Sequence, residues 1–284
     1  MIKSLSHGGG APRQAKNWFS PRLPQVECRS TWCSSQGYKT HTHTQLSLGL
    51  FVAGSTVCHY RGADHLLRAG DMVLIDPQPH SCTPLPGQTR SYHMFYLDAA
   101  WCRTLLAQQC GQPIAAIHCH PVHVQDHALF GDGLQLLNSL YRHDINSATP
   151  QLNALVSTLL SRYCAAQQPL AEQSTTRYMR QRLLSNLQTS PSLTTLAEKL
   201  HLRRETLVRH FREDTGLTPM AFLNNARIEY AKTLIKQGVP LADAGYQSGF
   251  SDQSHFHKIF VLHTAATPRQ YQQAGESPST TITI

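Results

Sequence analysis

Two sets of side chains in this chain of 284 residues could do chemistry. One is Arg203, Arg204, Glu205, Thr206 and Arg209, answered further on by Gln253, Ser254, His257 and Lys258. Arg209 can bond guanine O6 and N7 together, Glu205 can accept from cytosine N4, and Gln253 can pair with adenine N6 and N7. Arg203, Arg204 and Lys258 suit phosphates, which set register without reading sequence. The other set is His41, His43, Gln45, Tyr60 and His80, polar groups of the kind that line a small-molecule pocket. Its three imidazoles, His41, His43 and His80, could also hold Zn²⁺ or Fe²⁺ with an open position. A polar pocket lining is the expected role, and no catalytic residue is assigned.

The first set lies on a unit that occurs twice, as SLTTLAEKLHLRRETLVRHF and as PLADAGYQSGFSDQSHFHKIF. In the first copy Ser192 caps a helix on which Leu193, Leu196, Ala197 and Leu200 recur at helical spacing. The chain turns at His201-Leu202, and Leu207, Val208 and Phe211 then bury a second helix whose polar face carries Arg209. Thr218 and Pro219 open a long helix that ends at Gly238 and spans roughly 30 Å at ~1.5 Å per residue. In the second copy Leu241, Ala242 and Ala244 begin the short helix, Gly249-Phe250 form the turn, and Ser251 is the expected N-cap. Phe256, Ile259 and Phe260 bury the helix that follows. Paired helix-turn-helix units at this separation match successive major grooves on one face of DNA, which recur every ~34 Å.

Charge agrees with a polyanion partner. The chain carries +8 overall, and residues 177–271 hold 13 Lys and Arg against 7 Asp and Glu, or +6 of that excess.

The rest of the chain must position the second set. Residues 1–20 lack periodicity and are expected to be disordered. Gln45–Val52, Ser55–Tyr60, Met72–Asp76 and Ser91–Asp98 read as strands, with Gly54, Gly62 and Ala69-Gly70-Asp71 as turns, which suggests a small barrel or jelly roll. Helices are expected at Ala99–Gln109, Asp126–Tyr141 and onward to Ala166, with a break at HDINSATP. His118, His120, His123 and His127 fall in a Pro-bearing connector expected to be solvated. The eight cysteines form no CxxC pair and are expected to be reduced. No apolar run reaches bilayer length, and the start lacks the apolar core of a signal peptide, so a cytoplasmic location without membrane contact is expected.

Phe211-Arg-Glu-Asp-Thr-Gly216 with Thr218-Pro219, Arg227-Ile228, Ala231-Lys-Thr-Leu234, Gly249-Phe250-Ser-Asp-Gln253-Ser-His-Phe256 and Thr267-Pro268-Arg-Gln-Tyr271 resemble, in order and spacing, the signature of the AraC family of transcriptional regulators. More weakly, His41-Thr-His43 and the run Gly70-Asp71 through Pro77 to His80 resemble the cupin-like ligand-binding barrel of that family. The resemblance implies an α+β chain. An N-terminal cupin-like β-barrel (21–110) is followed by a helical dimerisation or packing region (111–168), a linker (169–176) and an all-α domain (177–274) with two helix-turn-helix units joined by a long helix. Residues 275–284 form a tail. It also implies double-stranded promoter DNA, a small-molecule effector, RNA polymerase and a second copy of the chain as partners, with no cofactor. The glutamate that metal-binding cupins place after the HxH pair is absent here, which weighs against the alternative of a metal-dependent enzyme carrying a DNA-binding module. A regulator that binds only proteins is the other alternative. Ala244, Ser248 and Ala265 depart from the family pattern and predict a looser second unit, while Val261-Leu262 replaces a common basic pair.

Overall fold

The N-terminal half of the computed structural model, which describes residues 15–37, 44–76, 80–167, 173–264 and 266–276, is built on an antiparallel sheet. Its order is β1 (Ala15–Trp18), β2 (Val26–Ser34), β7 (Arg90–Leu97), β3 (Leu46–Tyr60), β5 (Met72–Ile75) and β9 (His123–Val124). Strand β3 serves two layers. Its first half pairs with β7 and β5, and Ser55–Tyr60 pair with β4 (Ala63–Arg68) and β6 (His80–Pro84). The bend falls at Gly54, expected to be a turn between two strands. Gly54 has φ 72°, and a Cβ there would lie 2.0 Å from the Thr89 carbonyl oxygen, so the close crossing of β3 over the start of β7 requires glycine.

Both faces of the sheet are covered, and strand alternation sorts the side chains between them. Met72, Leu74, Phe95 and Leu97 join a core with α1 (Ala99–Cys110), α2 (His127–Tyr141) and α3 (Ile145–Tyr163). Val73, Ile75, Tyr92, Met94 and Tyr96 gather on the opposite face with Phe51 and Leu67. Asp98, Asp126 and Asp144 cap the three helices by accepting from Trp101 N, Leu129 N and Ser147 N. No large apolar side chain described on α2 or α3 is exposed, and both helices contribute to this core, with α3 packed on α1 and α2.

Several boundaries differ from expectation. The helix expected to reach Ala166 stops at Tyr163, and β10 (Cys164–Gln167) pairs with β8 (Ala116–Cys119). The histidine connector is therefore strand in part: β8 with His118 pairs with β10, β9 with His123 joins the main sheet beside β5, and both histidines are half-buried, whereas His120 and His127 are exposed as expected. Beyond the expected linker start, α4 spans Ser174–Leu184 with Thr176 fully buried, so helix begins inside residues 169–176 and ends short of the expected Gln188. All eight cysteines are free thiols, as expected, although Cys33 and Cys110 are exposed.

The C-terminal half comprises α5 (Leu193–Lys199), α6 (Arg204–Thr215), α7 (Pro219–Lys236), α8 (Leu241–Gln247), α9 (Gln253–Thr264) and α10 (Pro268–Glu276). Met179, Leu183, Leu196, Ala197, Leu207, Phe211 and Leu223 form one core around α4 to α6. Ile228, Ala231, Ile235, Ala244, Phe250, Phe256, Phe260 and Tyr271 form a second, and this one also takes in Phe19 from the sheet half. The N-terminal stretch expected to be disordered thus supplies β1 and an aromatic side chain to a core more than two hundred residues away.

Candidate DNA-reading heads and effector cavity

In the first head, Ser192 accepts from Thr195 N at 3.1 Å and starts α5 as expected. Leu196, Leu207 and Phe211 are fully buried between α5 and α6. Burying that side leaves Arg203, Arg204, Glu205 and Arg209 exposed and Thr206 half-exposed along one edge of α6. Arg209 Nε lies 3.9 Å from the exposed Glu213 carboxylate, one helical turn on, a loose pair that water screens and a base edge can displace.

In the second head, Asp252 rather than Ser251 caps the recognition helix, since its carboxylate accepts from His255 N at 2.7 Å. Phe256 and Phe260 bury one side of α9 and leave Gln253, Ser254, His257 and Lys258 exposed on the other. Gln253 Nε2 donates to the Ala242 carbonyl at 3.1 Å, so this side chain must release α8 before it can pair with adenine. The looseness expected of this head is not found. Ala244 and Ser248 are fully buried, the Ser248 hydroxyl donates to the Ala244 carbonyl at 2.6 Å, and Phe250, Phe256, Phe260 and Tyr271 interlock with ring centroids 5.3–5.6 Å apart. Ala265 lies outside the described residues.

Besides the shared helix α7, a hydrogen-bonded tie joins the heads. Arg227 on α7 donates through Nε and a terminal nitrogen to the Leu187 carbonyl at 3.0 and 2.8 Å. Gly249, at φ 91°, crosses the same carbonyl so closely that a Cβ would sit 2.1 Å from it. The turn of the second head is thereby seated against the end of α4.

The second residue set is dispersed. His80, 4% exposed, lines a cavity of ≈ 40 Å³ on the inner face of the sheet, whose walls are Phe51, Val73, Ile75, Tyr92, Met94 and Tyr96 with Arg29 and Arg90. Tyr60 is no part of that lining. Its hydroxyl donates to the buried Asp76 carboxylate, which also pairs with Arg61, and burial together with that carboxylate raises the Tyr60 pKa. Gln45 donates instead to Glu27 at 3.1 Å. His41 and His43 lie outside the described residues, and among the described residues no three His, Cys, Asp or Glu side chains are grouped to hold a metal ion. Of the connector histidines, His123 sits 3.1 Å from Asp71, and His118 contacts Arg61 at 3.0 Å. Burial and Arg61 lower the pKa of His118.

Sequence reasoning missed Arg29 and Arg90, although Arg90, Tyr92, Met94 and Tyr96 alternate at period two and so declare a common face. It also missed His263, which reaches the same cavity from the last turn of α9.

The two halves meet at Glu27. This buried carboxylate accepts from Lys236 Nζ at 2.5 Å and from the Tyr271 hydroxyl at 2.8 Å, and Lys232 Nζ stands 3.6 Å away. Burial alone would raise its pKa, but the two ammonium groups and the hydrogen bonds outweigh burial and hold it at about 2. Lys232 is buried as well, and Glu229 and Glu27 raise its pKa against the opposing effect of burial. Beside this network Phe19 stacks on Tyr271 at 5.2 Å, with Lys236 Nζ 5.4 Å from the Phe19 ring. A second cavity, of ≈ 20 Å³, lies at this boundary and shares Arg29, Tyr96 and His263 with the first.

Comparison with known proteins agrees with this architecture. Residues 24–162 match the profile of the AraC-like ligand binding domain, and residues 196–274 match that of a helix-turn-helix domain. The chain belongs to the AraC family of transcriptional regulators. Its AraC-family relatives include YbfI of Bacillus subtilis, an HTH-type transcriptional regulator 24% identical over 245 residues, which cover 78% of this chain and 82% of YbfI. The activator RhaS of Escherichia coli is 35% identical over 82 residues, 28% of this chain and 30% of RhaS. Two structures of ToxT from Vibrio cholerae share the fold. A ligand-free variant gives a TM-score of 0.59 at 13% identity, covering 88% of this chain and 97% of ToxT. The wild-type protein bound to an unsaturated fatty acid gives 0.53 at 14% identity, covering 91% and 93%. This AraC-family chain is thus a helix-turn-helix transcriptional regulator with an N-terminal ligand-binding domain. Among the described residues no helix is long and apolar enough to cross a membrane.

Proposed function

We propose that this regulator reads promoter DNA with α6 and α9 in successive major grooves, under the control of an effector held on the inner face of the sheet. One observation carries the DNA half: burying the apolar sides of α6 and α9 leaves all nine predicted reading residues wholly or partly exposed on the second helix of each unit or at its start. Helix α7, 18 residues and so ~27 Å long, sets a spacing near one duplex turn. Arg209 and Glu205 read bases in one groove and Gln253 in the next, with Thr206, Ser254 and His257 beside them. Arg203, Arg204 and Lys258 hold phosphates.

The effector half rests on cavity chemistry. Its walls are apolar and aromatic, and its polar groups are Arg29, Arg90, His80 and His263, a set suited to an amphiphile with an apolar body and one carboxylate. The structural likeness to a fatty-acid-bound ToxT supports the same class. The cavity of ≈ 40 Å³ is far below the ~300–1,000 Å³ of sites that enclose such molecules, so binding must displace a wall. RNA polymerase and a second copy of the chain are proposed as further partners by family membership.

Selection of bound duplexes from a random pool, followed by binding measurements on the recovered site, tests the DNA reading. Loss of duplex preference in Arg209→Ala is the expected result, and an unchanged preference and affinity would refute the assignment. Calorimetry with oleate tests the effector class. The expected result is binding that Arg90→Ala weakens, and no heat with the native chain would refute it.

A further inference from the structure

We infer that the sensor half acts on the second reading head selectively and leaves the first head outside its control. The inference rests on the effector cavity proposed above for its input, but the contacts that carry it belong to the folded chain alone. Helix α9 has two roles. Gln253, Ser254, His257 and Lys258 face outward along it, and His263 in its last turn is a wall of the cavity. At ~1.5 Å per residue His263 lies about 9 Å along one rigid helix from His257, so a displaced wall is a displaced reading face. The supports of α9 are tied down in the same way. Glu27 holds Lys232 and Lys236 of α7 and Tyr271 of α10, and Phe19 completes the aromatic core on which α9 rests.

Among the described residues these ties reach α7, α9 and α10, and none is drawn from the reading helix α6 or from α5. The core of the first head draws only on α4 to α7. Because the reading residues of α9 remain exposed while it is docked, the sensor does not plug the DNA surface. It fixes the orientation of the second head, and an effector that needs more room than ≈ 40 Å³ changes that orientation through His263.

The test uses the full chain and a duplex recovered by selection, with each half-site scrambled in turn. In Glu27→Gln and in Phe19→Ala, the affinity lost on scrambling the second half-site should change at least fivefold. The loss on scrambling the first should stay within twofold of the native value. Equal changes at both half-sites, or none at either, overturn the inference. Glu27→Gln is isosteric and guards against a folding failure of Phe19→Ala. As a readout on the unmodified chain, amide exchange with oleate as probe should change in α9 and α10 and not in α6, and a change in α6 of equal size also overturns it. Failure of oleate to bind refutes the effector class alone, because the half-site comparison needs no ligand.

Discussion

The first head keeps its core to itself, with α4 folded over α5 and α6 and Phe211 at the centre, whereas the core of the second is finished by Phe19 from the other end of the chain. The same repeated motif is therefore an autonomous unit in one place and half of a domain interface in the other. A repeat in sequence fixes the shape of a unit, and what covers that unit's remaining apolar and charged groups decides its role. Lys232 makes the point. On charge alone it counts toward the basic surface that attracts DNA, yet it is buried against Glu229 and Glu27.

Variants that break this contrast fall in order of size. Phe256→Ala and Phe211→Ala each empty a fully buried site and should cost about 3–5 kcal/mol in thermal unfolding. They should differ in reach: amide exchange in β1 should rise in Phe256→Ala and stay native in Phe211→Ala.

Removing the Glu27 charge comes next. A carboxylate held at about 2 in the folded chain, against ~4.3 when unfolded, contributes roughly 3 kcal/mol at neutral pH. Because the folded value is the lower one, this contribution is complete above about pH 5 and is lost as pH falls toward 2. Denaturant unfolding of Glu27→Gln should show that loss at pH 7 and a flatter dependence on acid than the native chain.

Base reading is smaller. Arg209→Ala should lose about 1–3 kcal/mol of discrimination at one position of the first half-site, measured by competition between matched and mutated duplexes. Smallest is Lys258→Ala, which should lower the slope of log affinity against log salt by about one while sparing sequence preference.

Much of this was legible in the sequence. Apolar residues at helical spacing, the Ser192 and Thr218 caps and Gly249 located both heads and the long helix between them, because each depends on neighbours within a few residues. Strands β3, β5 and β7 were legible for the same reason, although Gly54 marks a bend within β3 and not a turn, and the other strands were not read. The pocket was less legible. His80 lines the cavity, but Tyr60 and Gln45 are held by Asp76 and Glu27, partners that a local pattern does not reveal. Least visible was the domain contact: Phe19 and Glu27 meet Tyr271 across the length of the chain, and Phe19 sits in a stretch whose composition reads as disordered.

Two heads joined by α7 are expected to occupy neighbouring grooves. Methylation-interference footprinting of the full chain on its selected duplex tests it most directly. The expected result is two clusters of contacted guanines in the major groove, on one face of the duplex and centred about 10–10.5 base pairs apart. A single cluster, or two clusters on opposite faces, would contradict it.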